Sequence, residues 1–279
     1  MEPGRASTTA EYVCMGRALA DATTDVPGFS DPTAIALLSR QARIRVQRFR
    51  DRASLWHVLP RAHMTNLARM MAVRTITIDD AVREAAVPQL VTLGAGLDGR
   101  AWRMHELATS TVFEVDHPDT QREKRARVAA LSQAAREVRF VPIDFTRDSL
   151  DAALAAAGHD PVLPTTWIWE GVVMYLDRPA IQATLAVIDQ RSAPGSRLVV
   201  AYHSPSWVLR VVGMIVRRVG EPLRSQFSAD EMCALLARYR LDVVRDHSIA
   251  ELGAAMSPAI GRATRFVPHL RIAIADRRR

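Results

Sequence analysis

Cysteine is scarce in this 279-residue chain: Cys14 and Cys233 are the only two. Neither has a second cysteine or a histidine at metal-ligand spacing. That excludes a disulfide scaffold, leaves no metal site to expect, and fits a reducing cytoplasmic compartment. The opening residues, MEPGRASTTAEYV, lack the apolar core of a secretory signal. Clean long apolar runs are missing too. The most apolar stretch, 198–219, is interrupted by His203, Pro205, Arg210, Arg217 and Arg218, short of the ~18 residues a membrane span needs. No membrane partner is therefore expected. Aromatics make up 6% of the chain and do not interleave with the basic residues, which also lack a recognised binding motif. Nucleic acid is not an expected partner, despite a formal net charge of +7. No internal repeat or low-complexity tract is present.

What the chain does contain is arginine, concentrated in a run from Arg40 to Arg61 and in the tail Arg277, Arg278, Arg279. Apolar residues are 48% of the total, enough for a full core. Residues 1–85 read as a helical cap. Ser30 or Asp31 is a candidate N-cap with Pro32 at the first helical position, and Thr77 a further helix start. From Pro88 onward short apolar runs alternate with helical patterns. Strands are expected at 89–93 (QLVTL), 111–115, 138–143, 165–169 and 197–202, then at 241–245 and 266–275. Helices are expected at 100–108, 120–134, 149–157, 178–191 and 228–239, the last with Ser228 and Glu231 as a capping box. This alternation implies an α/β fold with a mainly parallel sheet, residues 86–279 forming the second domain. Residues 204–226 interrupt the pattern, either as a core helix or as a lid over a substrate pocket.

The strand QLVTL runs into Gly94-Ala95-Gly96-Leu97-Asp98-Gly99, a G-x-G-x-x-G turn that lets a ligand approach the backbone. Asp116 ends the next strand about 20 residues later, where a carboxylate bonds ribose hydroxyls. The pair points to an adenosine-containing cofactor. A dinucleotide would set its pyrophosphate against this turn, and Asp98 would repel it. S-adenosylmethionine carries a sulfonium and an ammonium instead, so acidic neighbours suit it. Asp98 also reads as a helix N-cap. Asp144 and Glu170 close the third and fourth strands, placing three carboxylates along one crevice.

The segments LGAGLDGRAWRM (93–104), FEVDHPDTQREKRA (113–126), VPIDF (141–145) and WEGVVMYL (169–176) together resemble the leucine carboxyl methyltransferase family. RALAD (17–21), SDP (30–32), RTITIDD (74–80) and GEP (220–222) extend the likeness along most of the chain. The resemblance implies a class I S-adenosylmethionine-dependent methyltransferase fold: a Rossmann-like sheet of seven strands, the last antiparallel, with an N-terminal helical cap. It further implies that Gly94 and Gly96 form the turn under the cofactor and that Asp116 binds the ribose. Asp144 and Phe145 would flank the adenine, Glu170 the methionine ammonium, and Arg74 the methionine carboxylate. Tyr175 would lie near the transferring methyl. Gly99 departs from the family, which more often has Thr or Ser there; a looser helix cap is expected.

The expected reaction is O-methylation of a small molecule, with a carboxylate as first choice. A carboxylic acid of pKa about 4 is already ionised at neutral pH. A phenol of pKa about 10 needs a base, for which His203 is the first candidate and His117 the second. A hydroxyl acceptor is the alternative within this class. Outside it stand an NAD(P)-dependent oxidoreductase, supported by the glycine motif alone, and a catalytically silent cofactor-binding protein.

Overall fold

Strands covered by helices on both faces need apolar residues on both, so they read as unbroken apolar runs. The computed structural model describes residues 8–23, 26–50, 58–145, 147–206 and 223–278. In it these runs are β1 (Gln89–Leu93), β2 (Thr111–Asp116), β4 (Thr165–Trp169) and β5 (Arg197–His203). β1 and β4 are buried along their whole length. With β3 (Glu137–Pro142), β6 (Leu241–Ser248) and β7 (Leu270–Arg277) they form one seven-stranded sheet of order β3-β2-β1-β4-β5-β7-β6. β1 to β5 are parallel, and β7 runs antiparallel to β5 and β6.

Strand alternation divides the interior into two layers. Leu90, Val112, Ile168 and Val199 face one layer, shared with α1 (Thr8–Thr23) through Ala18 and Leu19 and with α4 (Val58–Ala85) through Ala72, Val73 and Ile78. The helices before residue 86 thus share a core with the sheet. Val91, Leu93, Phe113, Trp167 and Trp169 face the other layer, closed by α7 (Leu150–Ala156) and α8 (Arg178–Gln190). No helix among the described residues is long and apolar enough to cross a membrane.

Several expectations need correction. Thr77 starts no helix; it lies inside the 28-residue α4, where its hydroxyl donates to Val73 O at 2.9 Å. Pro32 is not helical: α2 (Ala34–Leu37) begins two residues later, with Asp31 Oδ1 accepting from Ala34 N at 3.1 Å. The helix expected at 100–108 is only α5 (Arg100–Arg103), because Met104 turns extended before a 3-10 turn at His105–Leu107. α6 (Pro118–Val128) starts earlier and ends sooner than 120–134, capped by His117, whose ring accepts from Asp119 N at 3.3 Å. The capping box of Ser228 and Glu231 is present on the helix Ala229–Ala237. Most of the segment expected as a lid, 207–222, lies outside the described residues.

One buried histidine lies away from the strand ends that carry the site. His159 packs between the rings of Phe113 and Trp167, each 5.3 Å away, with Nε2 3.1 Å from Thr165 Oγ1. Burial, reinforced by Arg191, lowers its pKa from 6.5 to about 4. Its contribution to stability is therefore complete above pH 6.5 and is lost as pH falls toward 4. Through this group alone, about 2 kcal/mol is expected to disappear between about pH 7 and pH 5. Urea unfolding of the protein and of His159→Gln at both pH values checks this; equal pH dependence in the two would refute it.

Candidate active site

Register explains why the key residues meet. Val115, Leu93 and Trp169 are neighbours in the ladder, so the next residues, Asp116, Gly94 and Glu170, emerge side by side. They do so at the carboxyl edge where the strand order reverses, the usual ligand crevice of open α/β sheets.

Gly94 (φ 69°) and Gly96 (φ 49°) are left-handed. A Cβ on Gly94 would lie 2.3 Å from Val172 Cγ2, so no side chain fits without displacing the segment after β4. Gly94 N and Ala95 N both donate to Val115 O, at 2.8 and 3.0 Å. Asp116 braces the turn from the next strand: Oδ2 accepts from Gly96 N in a short contact, and Oδ1 from His117 N at 2.6 Å. Burial nevertheless pushes the Asp116 carboxyl above its usual pKa. A pyrophosphate would need the Gly96 N–H that this carboxylate already holds.

Asp98 requires a correction. It does not face the cofactor crevice but turns into the protein against Arg100, where it takes up the first amide of α5. Its Oδ1 accepts from Arg100 N at 2.7 Å and its Oδ2 contacts Arg100 Nη1. Burial raises its pKa, and Arg100, Lys124 and Arg17 together pull it far below the usual range. Its charge is compensated, so discrimination against a diphosphate rests on Asp116 instead. Gly99 caps α5 without a side-chain bond. Thr33 Oγ1 fills its missing side chain's place, 2.1 Å from where a Cβ would stand. A serine or threonine here would have to displace Thr33.

Beneath the turn lies a ladder of buried ion pairs that local sequence patterns do not reveal. Arg17 Nε is 3.1 Å from Asp31 Oδ2, and Arg103 Nε is 3.5 Å from Asp31 Oδ1. Arg103 Nη1 is 2.6 Å from Asp79 Oδ2, and Arg100 Nε is 2.7 Å from Asp79 Oδ1. Arg100 Nη1 continues to Glu170 Oε2 at 3.1 Å, and Arg74 Nε ends the ladder 2.7 Å from Glu170 Oε1. With Asp98, four arginines meet four carboxylates, none with a side chain more than 11% exposed. Burial raises the Glu170 pKa, but Arg74 and Arg100 outweigh it and leave it below its usual value. The sequence reading names Asp31 only as a candidate N-cap, and gives no site role to Arg17, Asp79, Arg100 or Arg103. The one signal was their position inside RALAD, SDP, RTITIDD and GRAWRM.

Next to the ladder is a further buried pair, Lys124 Nζ to Glu114 Oε1 at 2.6 Å, with Lys124 also 5.1 Å from the centre of the Trp102 ring. Lys124 is the chain's only lysine.

The remaining candidates enter from other strand ends. Asp144 follows β3 and pairs with Arg147 at 2.9 Å, and Phe145 beside it is 41% exposed. Tyr175 closes the 3-10 turn Val173–Tyr175 after β4 and is partly buried. His203 ends β5, and burial with His269 and Arg74 nearby lowers its pKa from 6.5 to about 4. His117, the second base candidate, is engaged as the α6 cap. Among the described residues, no group of three or more His, Cys, Asp or Glu is placed to hold a metal ion.

Comparison with known proteins identifies the family. The leucine carboxyl methyltransferase family model matches residues 10–189. A relative from Mycolicibacterium gilvum is 35% identical over 246 residues, covering 86% of this chain and 79% of its own. One from Frankia alni is 36% identical over 202 residues, covering 71% of this chain and 69% of its own. Both carry the name "Putative S-adenosyl-L-methionine-dependent methyltransferase". Among solved structures, a DUF574 family protein from Streptomyces avermitilis superposes with a TM-score of 0.64 at 14% identity, covering 98% of both chains. A protein from Thermobifida fusca described as a "putative methyltransferase" gives 0.58 at 16% identity, covering 100% of this chain and 97% of the other. Fold and sequence therefore agree, and the chain belongs to the leucine carboxyl methyltransferase family of S-adenosylmethionine-dependent enzymes.

Proposed function

We propose that the protein methylates a carboxylate oxygen of a small molecule. Bound S-adenosylmethionine supplies an electrophilic methyl group on a sulfonium. The residues fit that group. Arg74 Nε and Glu170 Oε1 lie 2.7 Å apart, yet neither atom makes a hydrogen bond. An ion pair of this kind is ready to exchange partners with a zwitterion: Arg74 toward its carboxylate, Glu170 toward its ammonium. Asp116 would take the ribose hydroxyls while keeping Gly96 N, and Asp144 and Phe145 would flank the adenine. Gly94 and Gly96, left-handed and closed over by Val172 and Ala10, would form the turn under the cofactor, and Tyr175 would border the reacting centre. Residues 1–85 would serve as cap and 204–226 as lid.

The carboxylate assignment rests on His203. A base of pKa about 4 lies about 6 units below a phenol, so proton transfer between them costs about 8 kcal/mol. A carboxylate needs no base, and alignment alone supplies the catalysis the chain has to provide. Incubation with radiolabelled cofactor and a panel of carboxylic acids, phenols and alcohols tests the reading. Methyl esters are the expected product; label transferred to phenols alone would overturn the assignment.

A further inference from the structure

Opposite the acidic strand ends, the same edge of the sheet carries two histidines. His203 ends β5, and His269 immediately precedes Leu270, its antiparallel register partner on β7. Their backbones are fixed: Ser204 N donates to His269 O at 2.7 Å, and Phe227 N donates to His203 O at 3.0 Å. Their rings meet edge to face, 5.6 Å between centroids and 77° between planes. In both, Nδ1 is buried without a hydrogen-bond partner. Buried ring nitrogens without partners are costly to leave unsatisfied, and such groups call for an explanation. At the carboxyl edge of a parallel sheet, a ligand supplies one.

The surroundings decide which ligand. The groups acting on His203 are His269, from the turn before β7, and Arg74, from α4; burial alone acts on His269. No carboxylate among the described residues is among these influences, so both rings are neutral at physiological pH. The one cation among these influences, Arg74, is paired with Glu170, so nothing in the set opposes an anion. Neutral imidazoles suit one particular anion. Arginine would grip both oxygens of a carboxylate in a bidentate pair and hold back the lone pairs that must attack carbon. A neutral N–H orients one oxygen and leaves the other nucleophilic.

We propose that His203 and His269 form the acceptor-binding element, their ring N–H groups holding one oxygen of the acceptor carboxylate. The other oxygen forms the new O–CH3 bond as the S–CH3 bond breaks; the bonding pair stays on sulfur, and no proton moves. The proposal rests on the carboxylate reading and adds to it a residue, His269, and a selection rule: acids are taken, and their uncharged amides are not.

Protein labelled with 15N-histidine and saturated with S-adenosylhomocysteine is titrated with octanoate and benzoate, and with octanamide and benzamide as neutral controls. His203→Asn and His269→Asn assign the two ring signals. Both carboxylates are expected to shift both rings, and the amides neither. Each substitution is expected to weaken carboxylate binding about tenfold, with affinity for S-adenosylhomocysteine unchanged to within about twofold. His269→Gln repeats the measurement where the Asn variant is unstable. Rings unmoved by either carboxylate, or moved as strongly by the amides, overturn the proposal. Failure to take up S-adenosylhomocysteine would instead remove the methyltransferase reading beneath it.

Discussion

Arg100→Met is expected to be the most destabilising single substitution in the ion-pair ladder, costing about 3–5 kcal/mol. Arg100 is 1% exposed. Its guanidinium touches Asp79, Asp98 and Glu170, and its backbone N–H serves Asp98 as well. Methionine roughly fills the stem but strands Asp98 without its ion-pair partner, while Asp79 keeps only Arg103 and Glu170 only Arg74. Removing one partner of a buried ion pair is expensive because the other charge remains buried. Here one anion is stranded and two others each lose one of two partners, which places the cost in that range. A domain of ordinary stability has about 5–15 kcal/mol in total, so the variant is expected to lose at least about a fifth of it. Arg83→Met is the control: its pairs with Asp80 and Glu106 are at the surface and are worth at most about 1 kcal/mol. Urea midpoints measured side by side decide the matter. Equal midpoints for the two variants would mean that the ladder adds nothing to the fold.

Asp116→Asn is expected to cut affinity for S-adenosylhomocysteine about a hundredfold, by loss of charge-assisted hydrogen bonds worth about 1.5–3 kcal/mol each. Both oxygens of Asp116 already accept backbone N–H groups, one from Gly96 and one from His117. An asparagine must present its NH2 to one of them, donor against donor, so the glycine turn loses its brace along with the proposed ribose contact. Isothermal calorimetry gives the affinity, and far-UV circular dichroism verifies that the fold is retained. Binding within about threefold of the parent, a change of less than 1 kcal/mol, would remove Asp116 from the cofactor site.

Some of this architecture is legible in the sequence for a simple reason. β1 and β4 are buried on both faces, so QLVTL and TTWIW stand out as apolar runs with sharp ends, and the observed bounds match those expected. β6 and β7 are different. β6 continues through Arg245, Asp246 and His247 to Ser248 and carries an irregularity between Val243 and Arg245. Its polar end is held by partners far along the chain, such as Arg271 on β7, 3.0 Å from Asp246. The local pattern predicts only 241–245 and does not announce the continuation to Ser248. β7 begins four residues after the expected Phe266, which is 65% exposed beneath Arg265.

The glycines and acidic strand ends were readable because each follows a recognisable strand. The ladder was not. Its members run from Arg17 to Glu170, and only the fold makes them neighbours. Asp98 shows the hazard: an acid in the glycine turn looks like a charge facing the ligand until Arg100, two residues on, is seen to neutralise it. His269 was missed because its significance lies in the ring opposite it on another strand.

The burial of Lys124 has a practical consequence. Acylating reagents that attack lysine find no ε-amine on the folded surface, since the single one is 1% exposed and locked against Glu114. Unfolding releases it. Incorporation of one acyl group at residue 124, read by mass spectrometry, would therefore count unfolding events molecule by molecule without any engineered probe.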